Sequence, residues 1–350
     1  MPTEDTRAGF CAVLLAAAFV SLAPERAAAD PVADFYHGKT IEIDVGTGVG
    51  GGYDANARLV ARHLAAFIPG KPTIIVNNVP GGGGIREANL LYNTSPRDGT
   101  VVGTFSNAMI TEPLLGTGQA KFAPNEFSWL GSASREDGLC AATKTSGVAS
   151  WDDLLHKEII VGTTGPGTTT FMYPLMLKTM FGAKFKLVSG YPDGGQIELA
   201  LERGEVQSIC QTYSSMKVGH PDWLRDHLVA PIVALSFKRL ADIPDMPSVT
   251  ELAKTDEQQQ VLKVVLAPTL AGRPFALPPG VPADRAAALR EAFAAMTKDQ
   301  GFLDEAQKIH MDVDPASGAE IDALVKQIYG LPANVVADTK RIVSAEDAGK

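Results

Sequence analysis

Two short stretches of this chain have the composition of an anion site. Gly46-Thr-Gly-Val-Gly-Gly-Gly-Tyr53-Asp54 carries five glycines between a short strand pattern, Thr40–Val45, and a helical pattern, Asp54–Ile68. Gly162-Thr-Thr-Gly-Pro-Gly-Thr168-Thr169 has the same placement further along, with threonine hydroxyls added. A helix start leaves backbone N–H groups unpaired and carries the positive end of the helix dipole, so it attracts anions. Glycine lets that backbone approach a ligand closely and adopt positive φ. In open α/β sheets ligands sit beyond the carboxyl ends of the strands, where both loops fall. One loop on each side of a cleft would grip both ends of a diacid. The first side offers Thr47, Gly50, Gly51, Gly52, Tyr53 and Asp54, with Ser106 and Asn107 after a later strand. The second offers Thr163, Gly165, Gly167, Thr168 and Thr169, with Tyr191 and Asp193 in a neighbouring turn. Asp54 is the expected N-cap of the first helix.

Other chemistries find less support. Gly46-x-Gly48-x-x-Gly51 matches a dinucleotide fingerprint, which would make the chain an exported nucleotide-binding oxidoreductase using the Gly46–Gly52 loop. That fingerprint wants an acid at the end of the next strand, and here the strand ends in Asn77-Asn78. There is no GxSxG elbow and no HExxH, and the six histidines are scattered without a Ser or Cys partner. Asp152-Asp153 opens a helix as dipole partners. Gly81–Gly84 reads equally as a ligand loop or a tight turn. Tyr53, Tyr191 and Tyr213 read equally as cleft wall or core. No catalysis, cofactor or metal is expected.

The elements that must position the loops alternate. Strands are expected at Thr40–Val45, Thr73–Val76, Thr100–Phe105, Glu158–Val161, Lys184–Ser189 and Val206–Cys210, and helices at Ile85–Tyr92, Thr168–Phe181 and Gln196–Arg203. This pattern means parallel sheets covered by helices, an α/β fold. Ala283–Ile342 reads as three or four further helices. At 350 residues the chain exceeds one hydrophobic core. We expect one domain from 30–134 plus 262–350 and a second from 135–261, with hinges near Ser134 and Leu262.

Composition is that of a packed protein, 45% hydrophobic and 20% charged. A net charge of −9 argues against nucleic acid as a partner. Cys11 to Ala23 is apolar and Ala27-Ala28-Ala29 fits a cleavage site, so residues 1–29 read as a secretory signal peptide, with Arg7 as the basic residue of its start. Export would leave Cys140 and Cys210 in an oxidising compartment, where they form one bridge or stay as two buried thiols; we expect the bridge.

Taken in order, these motifs resemble the solute-binding receptors of tripartite tricarboxylate transporters, the TctC/Bug family. The resemblance rests on Gly51-Gly-Tyr-Asp-Ala-Asn-Ala-Arg58, Val76-Asn-Asn-Val-Pro-Gly-Gly-Gly-Gly84, Pro96-Arg-Asp-Gly-Thr100, the Gly162–Thr168 loop, Gly204-Glu-Val206 and Pro278-Pro-Gly-Val-Pro282. It implies a two-domain periplasmic-binding-protein fold (type II, Venus flytrap) with two crossover strands. It implies a periplasmic, monomeric receptor that captures a small organic carboxylate, di- or tricarboxylate or related acid, largely through backbone N–H groups, and delivers it to a membrane permease. Two departures, the threonine-rich second loop with Pro166 and Tyr191-Pro-Asp-Gly-Gly195, fall where the far end of the ligand would lie.

Overall fold

The computed structural model describes residues 30–116 and 118–344. The expected signal peptide lies outside the described residues. Eleven strands are seen among those described: β1 (Thr40–Val45), β2 (Thr73–Asn78), β3 (Val101–Thr104), β4 (Ser128–Ser132), β5 (Gly138–Thr143), β6 (Ile159–Thr163), β7 (Phe185–Ser189), β8 (Ser208–Thr212), β9 (Val229–Leu235), β10 (Phe275–Leu277) and β11 (Ala316–Ser317). They form two sheets, ordered β11-β4-β10-β3-β1-β2 and β7-β6-β8-β5-β9.

The sheets share a plan. In the first, β1 lies between β2 and β3 and parallel to both; in the second, β6 lies between β7 and β8 and parallel to both. An antiparallel strand then flanks each trio, β10 beside β3 and β5 beside β8. The chain passes from the first sheet to the second between Ser132 and Gly138 and returns between Leu235 and Phe275. The fold class is therefore α/β in two lobes, as expected.

Burial explains why the parallel trios form. Ile41, Ile43 and Val45 alternate on the inner face of β1, against Leu59, Val60 and Leu64 of the helix Gly52–Leu64. The helix Thr169–Phe181 is apolar nearly all round, buries seven consecutive residues from Phe171 to Leu177, and ends at Gly182 with φ 78°. The helix Gly194–Glu202 covers β6 and β8 through Ile197, Ala200 and Leu201. Among the described residues four helices follow residue 282: Ala283–Met296, Gln300–Lys308, Gly318–Tyr329 and Ala333–Val343.

Cys140 and Cys210 are disulfide-bonded, as partners in register on β5 and β8. The bridge spans 70 residues of sequence and ties the antiparallel strand of the second sheet to its parallel trio. Reduction should lower stability by roughly 4 kcal/mol on the chain-entropy account. Intact-mass measurement of the unfolded, unreduced protein should show no alkylatable thiol at either position; two labelled cysteines would contradict the bridge.

Candidate functional site

The carboxyl ends of β1, β3, β6, β7 and β8 converge on one cavity of about 110 Å³ between the lobes. Its first wall is the loop after β1 and the start of the helix Gly52–Leu64: Gly46, Thr47, Gly50, Gly51, Gly52 and Tyr53, with Gly83 and Ser106 beside them. Its second wall is Thr164 and Thr168–Thr170 after β6, Pro192–Gly195 after β7, then Glu198, Gln211, Thr212, Ser215, Val218 and Gly219.

Three helices begin on this cavity. The first has Gly51 as its N-cap and no side-chain cap, which leaves its first-turn amides to a ligand. The second is capped by Thr168, whose Oγ1 accepts from the Phe171 amide at 3.3 Å. The third is capped by Asp193, whose Oδ1 accepts from the Gln196 amide at 3.0 Å. Beside the second helix the hydroxyls of Thr164, Thr168 and Thr170 form a triangle with sides of 2.8, 2.8 and 3.0 Å. A hydroxyl both donates and accepts, so this triangle can turn a proton toward an anion.

Asp54 is not the cap that the sequence suggests, and it does not line the cavity. It sits at the third helical position, 3% exposed. Its carboxylate accepts from the Gly50 amide at 2.9 Å, from Arg58 Nε at 3.0 Å and from Asn78 Nδ2 at 2.9 Å. Burial alone would raise this carboxyl, but the hydrogen bonds from Arg58, Gly50 and Asn78 outweigh it and hold the group below its ordinary range. Asn78 Nδ2 also reaches the Thr47 carbonyl. Asp54 and Asn78 thus fix the glycine loop from behind, and Gly50 takes φ 92°, open to glycine at little strain.

Of the other residues expected from sequence, Thr47, Gly50, Gly51, Gly52, Tyr53, Ser106, Thr168, Thr169 and Asp193 line the cavity. Asn107, Thr163, Gly165, Gly167 and Tyr191 do not. Asn107 is buried, and its amide donates to Tyr53 Oη at 2.9 Å. Thr163 turns its hydroxyl to Ser189 on the outer side of β6. Gly167 packs on Glu112, and Tyr191 packs into the core behind β6. Gly165, at φ 149°, shapes the loop without reaching the cavity. Tyr213 also stays off the wall and donates to Asp242.

The residue that sequence reading missed altogether is Arg273. It is fully buried in the return segment to the first sheet. Its Nη1 donates to the Gly52 carbonyl at 2.9 Å, in the first lobe. Its Nη2 donates to Ser214 and Ser215 at 2.8 Å each and to Thr212 at 3.3 Å, in the second. Its Nε lies 3.4 Å from Glu136 of the outgoing segment. Glu136 is itself 2% exposed and accepts from Ser134 and Ser214. One guanidinium therefore ties both crossings, the first glycine loop and the second lobe. A donor fork of this shape is what arginine offers and lysine does not.

The lobes touch across the cavity. A methyl group placed on Gly83 would overlap Thr168 Cγ2, on Gly48 it would overlap Asp193 Oδ2, and on Gly52 it would overlap Ser215 Oγ. Lys217 of the second lobe pairs with Asp312 of the first.

Comparison with known proteins bears on this geometry. No protein-family model and no curated protein matches the sequence. Solved structures do match the fold: the periplasmic binding protein BugD superposes with a TM-score of 0.70 at 18% identity, over 89% of this chain and 98% of its own. The chain has a periplasmic-binding-protein fold. MatC from Rhodopseudomonas palustris with bound malate gives 0.68 at 18% identity, over 87% and 99%. An R. palustris protein with adipate gives 0.67 at 19%, over 87% and 98%. Among the described residues no helix is long and apolar enough to cross a membrane.

Proposed function

We propose that this chain is an exported receptor that captures a small organic carboxylate between its lobes and presents it to a membrane permease of the tripartite tricarboxylate type. One observation carries the reading: three helix starts and a triangle of threonine hydroxyls converge on a single small cavity shared by both lobes. That is an arrangement for holding an anion without a cofactor. Neighbours of the same fold bind malate and adipate, which supports an acid of this size. In this reading the moving bodies are 30–134 with 262–350, and 135–261. Residues 1–29 direct export to the periplasm, where the mature chain acts as a monomer.

The oxidoreductase alternative is not favoured. Asn78, where the fingerprint wants a ribose-binding acid, is committed to Asp54, Arg58 and Thr47. The cavity, about 110 Å³, is smaller than the roughly 300–1,000 Å³ that holds a drug-sized ligand.

A thermal-shift screen of small organic acids against nucleotides tests the reading, since a ligand at a hundred times its Kd stabilises by roughly 2.7 kcal/mol. Stabilisation by nucleotides and by no acid would overturn it. The loop is tested by Gly51→Val. Gly51 has φ −76°, and a Cβ there would meet no protein atom within 4 Å, so the backbone accepts an L-residue. The side chain would occupy the ligand's approach to the uncapped helix start. Affinity for the best acid should fall at least tenfold, with the ligand-free melting temperature unchanged.

A further inference from the structure

The charge of the cavity wall narrows the ligand further. Resting on the receptor reading above, we propose that the ligand carries an ammonium group as well as a carboxylate, and that Asp193 selects it.

Among the described residues lining the cavity there is no lysine, arginine or histidine, while there are two acids, Asp193 and Glu198. The nearest guanidiniums are committed elsewhere: Arg58 to Asp54, and Arg273 beneath the wall to Glu136 and its ring of hydroxyls. A dicarboxylate would bring two negative charges to a wall that already holds negative charge and offers no side-chain cation in return. Like charges at close range in a water-poor cleft repel strongly. Helix starts can hold one carboxylate against this; they do not remove the repulsion on a second.

The two acids differ in what remains available. Glu198 is buried and already held: Gln211 Nε2 donates to its Oε1 at 2.9 Å, and His220 Nε2 lies 3.4 Å from its Oε2. The carboxylate beside it raises the proton affinity of His220, whose ring also stacks on Trp223. Both Glu198 oxygens thus have a protein partner. Asp193 Oδ2 has none among the described residues. Its Oδ1 caps the helix Gly194–Glu202, and its Oδ2 reaches across the cleft against Gly48 with no hydrogen bond or ion pair to a described residue. An acceptor oxygen held in place by its partner atom, aimed between the lobes and lacking a donor, suits an ammonium with three N–H groups.

The rest of the cavity provides for the other end. The uncapped start of the helix Gly52–Leu64 and the hydroxyl of Thr170, whose neighbours Thr164 and Thr168 donate within the loop, offer donors to a carboxylate. Thr47 adds a hydroxyl that is buried and has no partner among the described residues. A small zwitterion, an amino acid or a close relative, presents both charges, whereas a plain diacid leaves Asp193 opposed.

Asp193→Asn separates charge from structure, because asparagine caps a helix as well as aspartate does. Calorimetric titration should use a panel of small α-amino acids and desamino diacids matched to them, glutamate against glutarate and aspartate against succinate. In the wild-type protein the amino-bearing member of the best pair should bind at least tenfold tighter. In Asp193→Asn that ratio should shrink at least tenfold while the ligand-free melting temperature holds. Asp193→Ser, which also caps, replaces it should the asparagine variant misfold. If plain diacids bind as well as their amino counterparts, or if the ratio is unmoved in both variants, the ammonium assignment is overturned and the carboxylate receptor stands. Should neither class bind, the receptor reading itself falls.

Discussion

Replacing Arg273 with alanine is expected to lower stability by about 3–5 kcal/mol, the range for removing one partner of a buried ion pair. The loss comes less from the missing attraction than from what is left behind. Glu136, 2% exposed, would hold its charge beside Ser134 and Ser214 with no cation in reach. The Gly52 carbonyl and the hydroxyls of Ser214 and Ser215 would each lose a donor in a dry place. Ligand affinity should fall with it, because Gly52 opens the helix whose uncapped start lines the cavity. A paired replacement, Arg273→Met with Glu136→Leu, should recover most of the stability, since apolar residues of similar volume often substitute for a buried pair at little cost. It should not recover affinity, because the hydrogen bonds that join the Gly52 carbonyl to Ser214 and Ser215 through one side chain would still be gone. Urea unfolding and calorimetric titration of the three proteins decide the matter. An alanine variant within 1 kcal/mol of wild type would show that the pair is peripheral.

At Gly83 the expected effect is on closure rather than on folding. Gly83 sits at φ 66°, ψ 21°, which costs an L-residue about 1–2 kcal/mol. Its more serious constraint lies across the cleft, where a methyl group would overlap Thr168 Cγ2. Gly83→Ala should therefore hold the lobes apart and weaken the best-binding acid at least a hundredfold. Thr168→Ser in the same chain should restore most of that, because serine keeps the oxygen that caps Phe171 and removes the colliding carbon. Small-angle scattering supplies the structural readout. Wild type should contract on saturation, as the acid draws the population to the closed form; Gly83→Ala should not; the double variant should. If Gly83→Ala contracts like wild type, these loops do not close on each other.

The glycine loops and the elements flanking them were readable because their signals are local. A six-residue stretch with apolar residues at every second position, a block of glycines and a helical period are all present between Thr40 and Leu64, and the structure has β1 and its helix there. The four C-terminal helices were readable for the same reason. Asp54 misled because aspartate is a common N-cap, yet a glycine takes that place here and the acid reaches back from the third position to the Gly50 amide. Strands β4, β5, β9, β10 and β11 carry no comparable mark. β10 has three residues and β11 two, and each exists only because a distant strand pairs with it. The second wall was half legible: Thr168 and Asp193 stand in turn-rich sequence, whereas Gln211 and Thr212 end an ordinary strand, Ser215 lies in the short helix after it, and all three were passed over. Arg273 was hidden most completely. In sequence it opens a proline-rich connection, and its meaning depends on Glu136 and Ser214, more than fifty residues away.

The two crossings between the sheets also govern the order in which the molecule can be built. Every strand of the second sheet lies between residues 138 and 235, while the first sheet is assembled from 40–132 and 275–317. A chain emerging from its N-terminus can complete the second sheet before residue 275 exists. At that moment β3 lacks the neighbour that will separate it from β4, and β4 has no partner on either side. Unpaired edges of this kind invite association between nascent chains. The lobe that begins the polypeptide is thus the last to be finished, and it waits on three residues, Phe275–Leu277, to close its sheet.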